Sequence, residues 1–263
     1  MQMDLCQRWN RRRDSYRPAG ECITTTHYAV APIPGDNEAR AFVQKHHYSG
    51  SYPAARKRFG LYRHDTMVGV AVFSMPCRAD VLTNQFGGHA NDHLELGRFV
   101  LLDDVPANGE TWFLGRCFAA LRGEFRGILA FSDPVSRETS DGRLVKPGHI
   151  GTIYQAHNAA YDGRATARTL RVLPDGTVFS DRAASKIRKG DRGWRYAAAQ
   201  LEAFGADHPE SNAAWLNYWL MKLTRRVRHP GNHRYTWRLD QRRKHWFQDN
   251  PYPKADSPEA PCT

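Results

Sequence analysis

The chain has 263 residues, 41% of them hydrophobic, with 7 Trp, 11 Tyr and 12 Phe. That is enough apolar material for a sizeable core, in one medium domain with additions or in two small ones. No window approaches the roughly 18–20 continuous apolar residues of a membrane span, and the N-terminal MQMDLCQRWNRRRD lacks the apolar run of a signal peptide. A cytoplasmic protein without a membrane partner is expected.

Five cysteines (Cys6, Cys22, Cys77, Cys117 and Cys262) stand without CxxC spacing, which argues against a disulfide framework or a zinc-thiolate site. The net charge is +11, and from Asp181 to Phe247 there are 15 Lys and Arg against 6 Asp and Glu. Trp and Tyr interleave with the cations there, in GWRY (Gly193–Tyr196) and HRYTWRLDQRRKHWF (His233–Phe247). A basic face carrying planar side chains suits phosphate contact and stacking on exposed bases. The plainer alternative is a solvated surface, which is what most charge runs are.

In chain order, residues 1–20 read as a flexible basic arm, and Thr24–Ile33 as a first strand ending at a Pro-Gly turn. Asp36–Tyr48 offers a helix with Ala39, Phe42, Val43 and His46 at helical spacing. Arg58–Arg63 and Met67–Pro76 flank a short polar connection and form a hairpin. Val81–Asn91 is rich in Gly and Asn and reads as a loop. Leu94–Leu102 is a central strand, and Leu114, Cys117, Phe118, Leu121 and Phe125 mark one buried helix face. The short apolar strand GILAF follows. Ile150, Ile153, Tyr154, His157 and Tyr161 then repeat a helical spacing. Thr166–Val172 and Gly176–Phe179 bracket Pro174-Asp175-Gly176 as a second hairpin. Ser180–Phe204 is basic and helical with breaks at Gly190 and Gly193. Ser211–Arg228 is amphipathic, and Arg234–Leu239 a strand. The proline-rich tail should be disordered. These pieces divide into the arm (1–20), a core (21–182), a basic extension of the same domain (183–247) and the tail (248–263).

Polar residues gather where strands end, the edge at which α/β proteins bind ligands. The loop from Asp103 to Thr111 joins a strand to a helix, with Thr111 suited to cap it. Free N–H groups at a helix start can hold a phosphate, and an ordinary capped turn is the alternative. Arg98 lies inside an apolar strand and needs a partner: Glu95, Asp133 or an anionic substrate group. Ser132 and Asp133 terminate GILAF, where a carboxylate can act as general base, orient an amine, or simply cap a turn. Tyr154 and Tyr161 either pack or supply a hydroxyl to a leaving group. His47 and Tyr48 precede a Ser/Gly loop that could reach the same cleft. The pair His89 and His93 has no third ligand nearby, so no metal is expected.

The motifs HHYSGSYP, LELGRFVLLDDVPANGETWFLGRCF, AFSDP and GHIGTIYQAHNAAYDG, in this order, resemble the Mom family of phage DNA-modification proteins over roughly Thr24 to Arg182. That family is similar in fold to the GCN5-related N-acyltransferases. The resemblance implies an α/β (α+β) fold with a mixed, mostly antiparallel central sheet flanked by helices and splayed to admit acetyl-CoA or a related acyl-CoA. It implies a transferase that converts the exocyclic N6 amine of adenine in double-stranded phage DNA to a carbamoylmethyl derivative, in the host cytoplasm, as protection from restriction. An acyl-CoA-dependent N-acyltransferase acting on a hypermodified base or another amine is the alternative. By motif, the catalytic candidates are His47, Tyr48, Arg98, Ser132, Asp133 and Tyr154, with Tyr161 added by analogy. The cofactor would meet Val105, Asn108, Gly109, Glu110 and Thr111, although the glycine-rich pyrophosphate loop usual in acyltransferases is absent. Ser136–Lys146 stands as an insertion between the SDP and GHIGT motifs.

Overall fold

In the computed structural model, residues 20–240 and 250–254 are described with their side chains, and Leu5–Asn10 (β1) and Arg13–Pro18 (β2) by their backbone. The N-terminal stretch contains an antiparallel pair, β1 with β2. The chain falls into two units. The first comprises Met1–Ser132, His149–Gly163 and His233–Thr263, and the second Asp133–Gly148 and Arg164–Asn232.

The first unit is built on β3 (Tyr28–Pro32), α1 (Asp36–His46), β4 (Ala55–Arg63), β5 (Thr66–Ser74), α2 (Asp80–Phe86), β6 (His93–Leu101), α3 (Gly109–Leu121) and β7 (Gly127–Ser132). The chain returns to it with α4 (Thr152–Ala156), β10 (Ala160–Arg164) and β14 (His233–Arg238). Seven strands pair in the order β10-β14-β7-β6-β5-β4-β3. The sheet is mixed and mostly antiparallel, with β6 and β7 parallel. Alternation decides which side chains reach which layer. Val70, Val72 and Val100 meet Ala39, Phe42 and Val43 of α1 on one face. Phe73, Leu94, Leu96, Ile128 and Tyr235 meet Phe113, Leu114, Phe118 and Leu121 of α3 on the other.

Two irregularities shape the middle of this sheet. The register of β5 against β6 shifts between Val72 and Phe73, so Leu96 faces Phe73, Arg98 faces Val72, and Gly97 is the extra residue of a β-bulge. A Cβ on Gly97 would run into the Ser74 side chain and come within 3.2 Å of Pro53. Strands β6 and β7 pair at only three positions, ending with Glu95 opposite Leu129. Beyond that point β6 continues against β5 and β7 against β14, so the two central strands part.

The second unit holds β8 (Arg137–Glu138), β9 (Leu144–Lys146), β11 (Arg168–Val172), β12 (Val178–Phe179), α5 (Asp181–Lys189), α6 (Trp194–Glu202), α7 (Ala213–Leu223) and β13 (Arg225–His229). Its main sheet runs β12-β11-β13, and β8 pairs with β9. Phe179, Ile187, Leu201, Trp215, Leu216 and Leu220 form its core. Side-chain caps start two of its helices: Ser180 accepts from the Ala183 N–H at 3.1 Å and Asn212 from the Trp215 N–H at 2.8 Å.

The helix α1, both hairpins and the central strand fall where the sequence places them. Four expectations need correction. The stretch read as a loop at Val81–Asn91 contains most of α2, whose Leu82 is fully buried. The helical spacing from Ile150 to Tyr161 is a coincidence: α4 stops at Ala156, Asn158 takes a left-handed φ of 55°, and Tyr161 lies on β10. The amphipathic segment from Ser211 leaves the helix at Thr224, whose N–H closes on Leu220, and Arg225–His229 is a strand. Thr111 does not cap α3; Asn108 holds the N-cap position, and the Thr111 hydroxyl donates to the Asn108 carbonyl at 3.1 Å.

Within HRYTWRL the aromatics Tyr235 and Trp237 are core residues, 0% and 8% exposed, and the cations alternate with them because the segment is a strand. The remainder of that run, residues 241–249, lies outside the described residues. So does the tail, apart from Asn250–Lys254, where the Tyr252 hydroxyl donates to the Ala159 carbonyl at 2.6 Å.

Candidate active site

The bulge at Gly97 determines the chemistry of β6. In a regular strand, residues three apart point to opposite faces. The extra residue restores Glu95 and Arg98 to one face, since their partners Ser74 and Val72 lie two apart on β5. Burial raises the Glu95 carboxyl above its ordinary value, and the nearby Arg98 charge offsets this only in part. Among the described residues, the Glu95 carboxylate has neither a hydrogen bond nor an ion pair. It is a half-buried base at the position where β6 and β7 part.

Arg98 is committed differently. Its Nε donates to the Ser51 carbonyl at 2.8 Å, Nη2 donates to the Ser51 hydroxyl at 2.7 Å, and Nη1 donates to the Gly97 carbonyl. This guanidinium staples the loop after α1 onto β6 and carries His47 and Tyr48 with it. The His47 ring stacks on Tyr48 at 4.3 Å, and Tyr48 meets His149 edge-on at 6.3 Å. The Ser49 N–H donates to His47 Nδ1 at 3.2 Å, so in the neutral ring the proton sits on Nε2. Burial, then the charges of Arg98 and His149, hold His47 down to about 3, so it is neutral across the physiological range.

Tyr154 completes the group. Burial raises its hydroxyl far above the ordinary tyrosine value, with smaller contributions from Tyr48, Glu95 and Tyr235 and an opposing one from Arg98. It stays protonated and can act only as a donor or a neutral acceptor.

A second row crosses three adjacent strands. Ser132, 0% exposed, lies opposite His233 in the β7–β14 register. His233 Nδ1 is 2.8 Å from the Tyr161 hydroxyl. Beside them the Tyr235 hydroxyl donates to the Ile150 carbonyl and accepts from Gln155 Nε2 at 3.1 Å. Burial pushes that hydroxyl up to about 12.

Gly151 lets α4 approach this row. Its φ is +74°, and a Cβ there would lie 2.7 Å from Tyr235, 2.9 Å from Tyr154 and 3.1 Å from Ser132 Oγ. Gly151→Ala is therefore expected to cost about 2–4 kcal/mol, from left-handed backbone strain together with overpacking. Urea denaturation measures this, and a parental midpoint would refute the crowding.

Asp133, next to Ser132 in sequence, belongs to the second unit, where its carboxylate is fully engaged. Lys146 Nζ lies 3.0 Å from one oxygen, His229 Nε2 2.8 Å from the other, and Arg137 3.7 Å away. The Val135 N–H donates to it as well, at 3.0 Å. Burial alone would raise this carboxyl, but Lys146, His229 and the Val135 N–H bring it to about 2. Lys146, 1% exposed, bears the desolvation cost and is lowered to about 8 despite the attraction of Asp133. A carboxylate held near 2 and surrounded by cations is a poor proton acceptor at neutral pH.

The turn before α3 is not built as an anion cradle. Val105 is 0% exposed and packs in the core. The Asn108 side-chain oxygen accepts from the Ile23 N–H at 2.7 Å, and the Ala107 N–H donates to the Glu21 carboxylate at 3.1 Å. The Gly109 N–H closes on the Pro106 carbonyl, and Glu110 is buried in the first helical turn. A pyrophosphate would meet carboxylates and occupied donors, so these residues do not fit one. A groove of about 480 Å³ beside β3 and α3, lined by Thr25, Tyr28, Trp112 and Arg116, touches none of the catalytic candidates. Among the described residues, no group of three or more His, Cys, Asp or Glu comes together to hold a metal. His93 is structural, its Nε2 3.1 Å from the Gly87 carbonyl and its ring stacked on Phe86.

The structure thus gathers His47, Tyr48, Glu95 and Tyr154 around Arg98, and sets Ser132 and Tyr161 in a row through His233. Comparison with known families matches residues 27–254 to the Mom protein family. The chain belongs to that family. Mom proteins are associated with bacteriophage DNA modification, which implies an enzymatic role with DNA as substrate. No curated protein matches the chain, and no helix among the described residues is long and apolar enough to cross a membrane. Within the Mom motifs, sequence reading missed Glu95 as a site residue, along with Ser51, His149 and His233. The signal for Glu95 was present, a carboxylate inside an apolar strand two residues before a glycine.

Proposed function

We propose that the chain is a DNA base-modifying transferase that places a carbamoylmethyl-type substituent on the exocyclic N6 amine of adenine. The observation that carries this reading is the half-buried Glu95 carboxylate, without a hydrogen bond or ion pair among the described residues and raised in pKa, beside Arg98 and Tyr154. The adenine amine is a weak nucleophile because its lone pair is delocalised into the ring. Replacing one of its hydrogens by carbon releases one proton, whatever the donor's leaving group. Glu95 accepts that proton, and its raised pKa makes it a stronger base than an exposed carboxylate. Arg98 holds the loop of His47 and Tyr48 in place, and the Tyr154 hydroxyl donates to oxygen or to the leaving group. In this reading Asp133 organises the segment after β7 and is not the base.

The target base has to leave the duplex stack, at a cost of a few kcal/mol. A substituent on N6 then sits on the major-groove edge that restriction enzymes read, and blocks their hydrogen bonds to adenine.

An acyl-CoA-dependent N-acyltransferase acting on a hypermodified base or another amine is the second reading. The parting of β6 and β7 beyond Glu95 favours it, and the crowded turn before α3 counts against it. Nucleoside mass spectrometry on DNA from cells expressing the chain separates the two. A new adenine-derived nucleoside is expected. A shifted peak derived from another base would replace the first reading by the second, and no new nucleoside would sink the first and confine the second to an acceptor amine outside DNA.

A further inference from the structure

The sheet of the second unit holds cations that the unit itself does not neutralise. In the β11–β13 register Arg171 lies opposite Arg226 and Thr169 opposite Arg228. Cross-strand partners point the same way, so these four side chains share one face. Arg226 and Arg228 are exposed and Arg171 is half-buried. Among the described residues, none of the three guanidiniums has a hydrogen bond or a carboxylate partner. Arg225, on the opposite face, donates to the Glu138 carbonyl at 2.9 Å. The whole unit carries 16 Lys and Arg against 9 Asp and Glu, so the excess is general as well as local.

Like charges directly opposite one another destabilise a sheet, and an arrangement of this kind is stabilised by an external polyanion. Arg226 and Arg228 are two residues apart on one strand, roughly 7 Å, and Arg171 is about 5 Å across from Arg226. A short row of fixed cations fits a chain of closely repeated charges, which is what a nucleic-acid backbone presents. No exposed ring stands in the row. Phe179, the β12 partner of Arg171, is 3% exposed and packs in the core. Without a ring to stack on bases, the face contacts phosphates alone, and that selects duplex over single strand.

We propose that the face bearing Arg171, Arg226 and Arg228 docks the phosphate backbone of duplex DNA without regard to sequence. The proposal rests on DNA being the substrate and names the surface that holds it. The test is binding of the full chain to a duplex oligonucleotide, and to a single strand of the same length, across a salt series. In the triple variant Arg171→Gln/Arg226→Gln/Arg228→Gln, the slope of log affinity against log salt should fall by up to about 2.7, roughly 0.9 for each phosphate that is no longer neutralised. Affinity at low salt should drop at least tenfold for every duplex sequence.

A control of equal charge loss on exposed residues of the first unit, Lys45→Gln/Arg122→Gln/Arg126→Gln, should change both far less. Folding is checked by thermal unfolding at low salt, where removal of the repelling pair should leave the midpoint unchanged or higher. A parental slope in the triple variant, an equal loss in the control, or preference for the single strand would overturn the proposal. A parent chain that binds no duplex and modifies no DNA would instead remove the reading on which it rests.

Discussion

Glu95→Gln is expected to lower the rate of DNA modification by about 10²–10⁴-fold, the usual contribution of a general base, while leaving DNA affinity intact. Gln keeps the volume and removes only the ability to take a proton. The fold should tolerate it well. A carboxyl whose folded pKa is raised binds more protons in the native than in the unfolded chain, so its ionised form costs stability at neutral pH. The thermal midpoint of the variant should therefore equal or exceed that of the parent. The pH profile supplies an independent check. The parental rate should fall as pH drops through the raised pKa of Glu95, above the ordinary 4.5, and the residual rate of the variant should lack that limb. His47 does not generate the limb, because at about 3 it stays neutral throughout. A variant with the parental rate would end the assignment.

Glu95 escaped the sequence for a reason that applies to much of this site. Strands and helices such as β4, β5, β6 and α3 are legible because period 2 and period 3.6 are local signals. The bulge is one residue long and reverses the faces of everything beyond it. Strict alternation puts Glu95 and Arg98 on opposite sides, and only the register with β5 brings them together. The segment from Ile150 to Tyr161 failed in the opposite way. Its apolar spacing is helical by chance, while Gly151 and Asn158 supply the left-handed turns that bound a five-residue helix and begin a strand.

In HRYTWRL the interleaving of rings and cations was visible but misassigned. Alternation on a strand sends the rings inward and leaves no stacking surface. The motifs themselves were the most reliable guide, because His47, Tyr48, Arg98 and Tyr154 come together from three separate segments that periodicity could not connect.

Asp133 shows what a motif cannot reveal, and it carries the second large prediction. Its partners lie 13 residues away at Lys146 and 96 residues away at His229, so the sequence showed only a carboxylate at a strand end. Asp133→Asn should destabilise the protein by about 3–5 kcal/mol, because the change removes the carboxylate charge that Asp133 sets against the buried Lys146 cation beside Arg137. For a chain of this size that corresponds to a fall in thermal midpoint on the order of 10 °C.

The pH dependence has a definite sign. The folded carboxyl titrates near 2, below its ordinary 3.8. Between those values the unfolded chain binds more protons, so stability is fully present above the ordinary value and is lost as pH falls through 2. The variant should lack that contribution.

The double variant Asp133→Asn/Lys146→Met removes both charges of the pair and should recover most of the loss, since a buried ion pair can be replaced by apolar packing at little cost. Activity then decides the role of the carboxylate. If modification returns with stability, Asp133 acts by holding its segment. If the double variant is stable and inactive, the carboxylate takes part in the reaction itself, and the assignment of the base to Glu95 would have to be shared. A single variant as stable as the parent would show that the network does not hold the unit together.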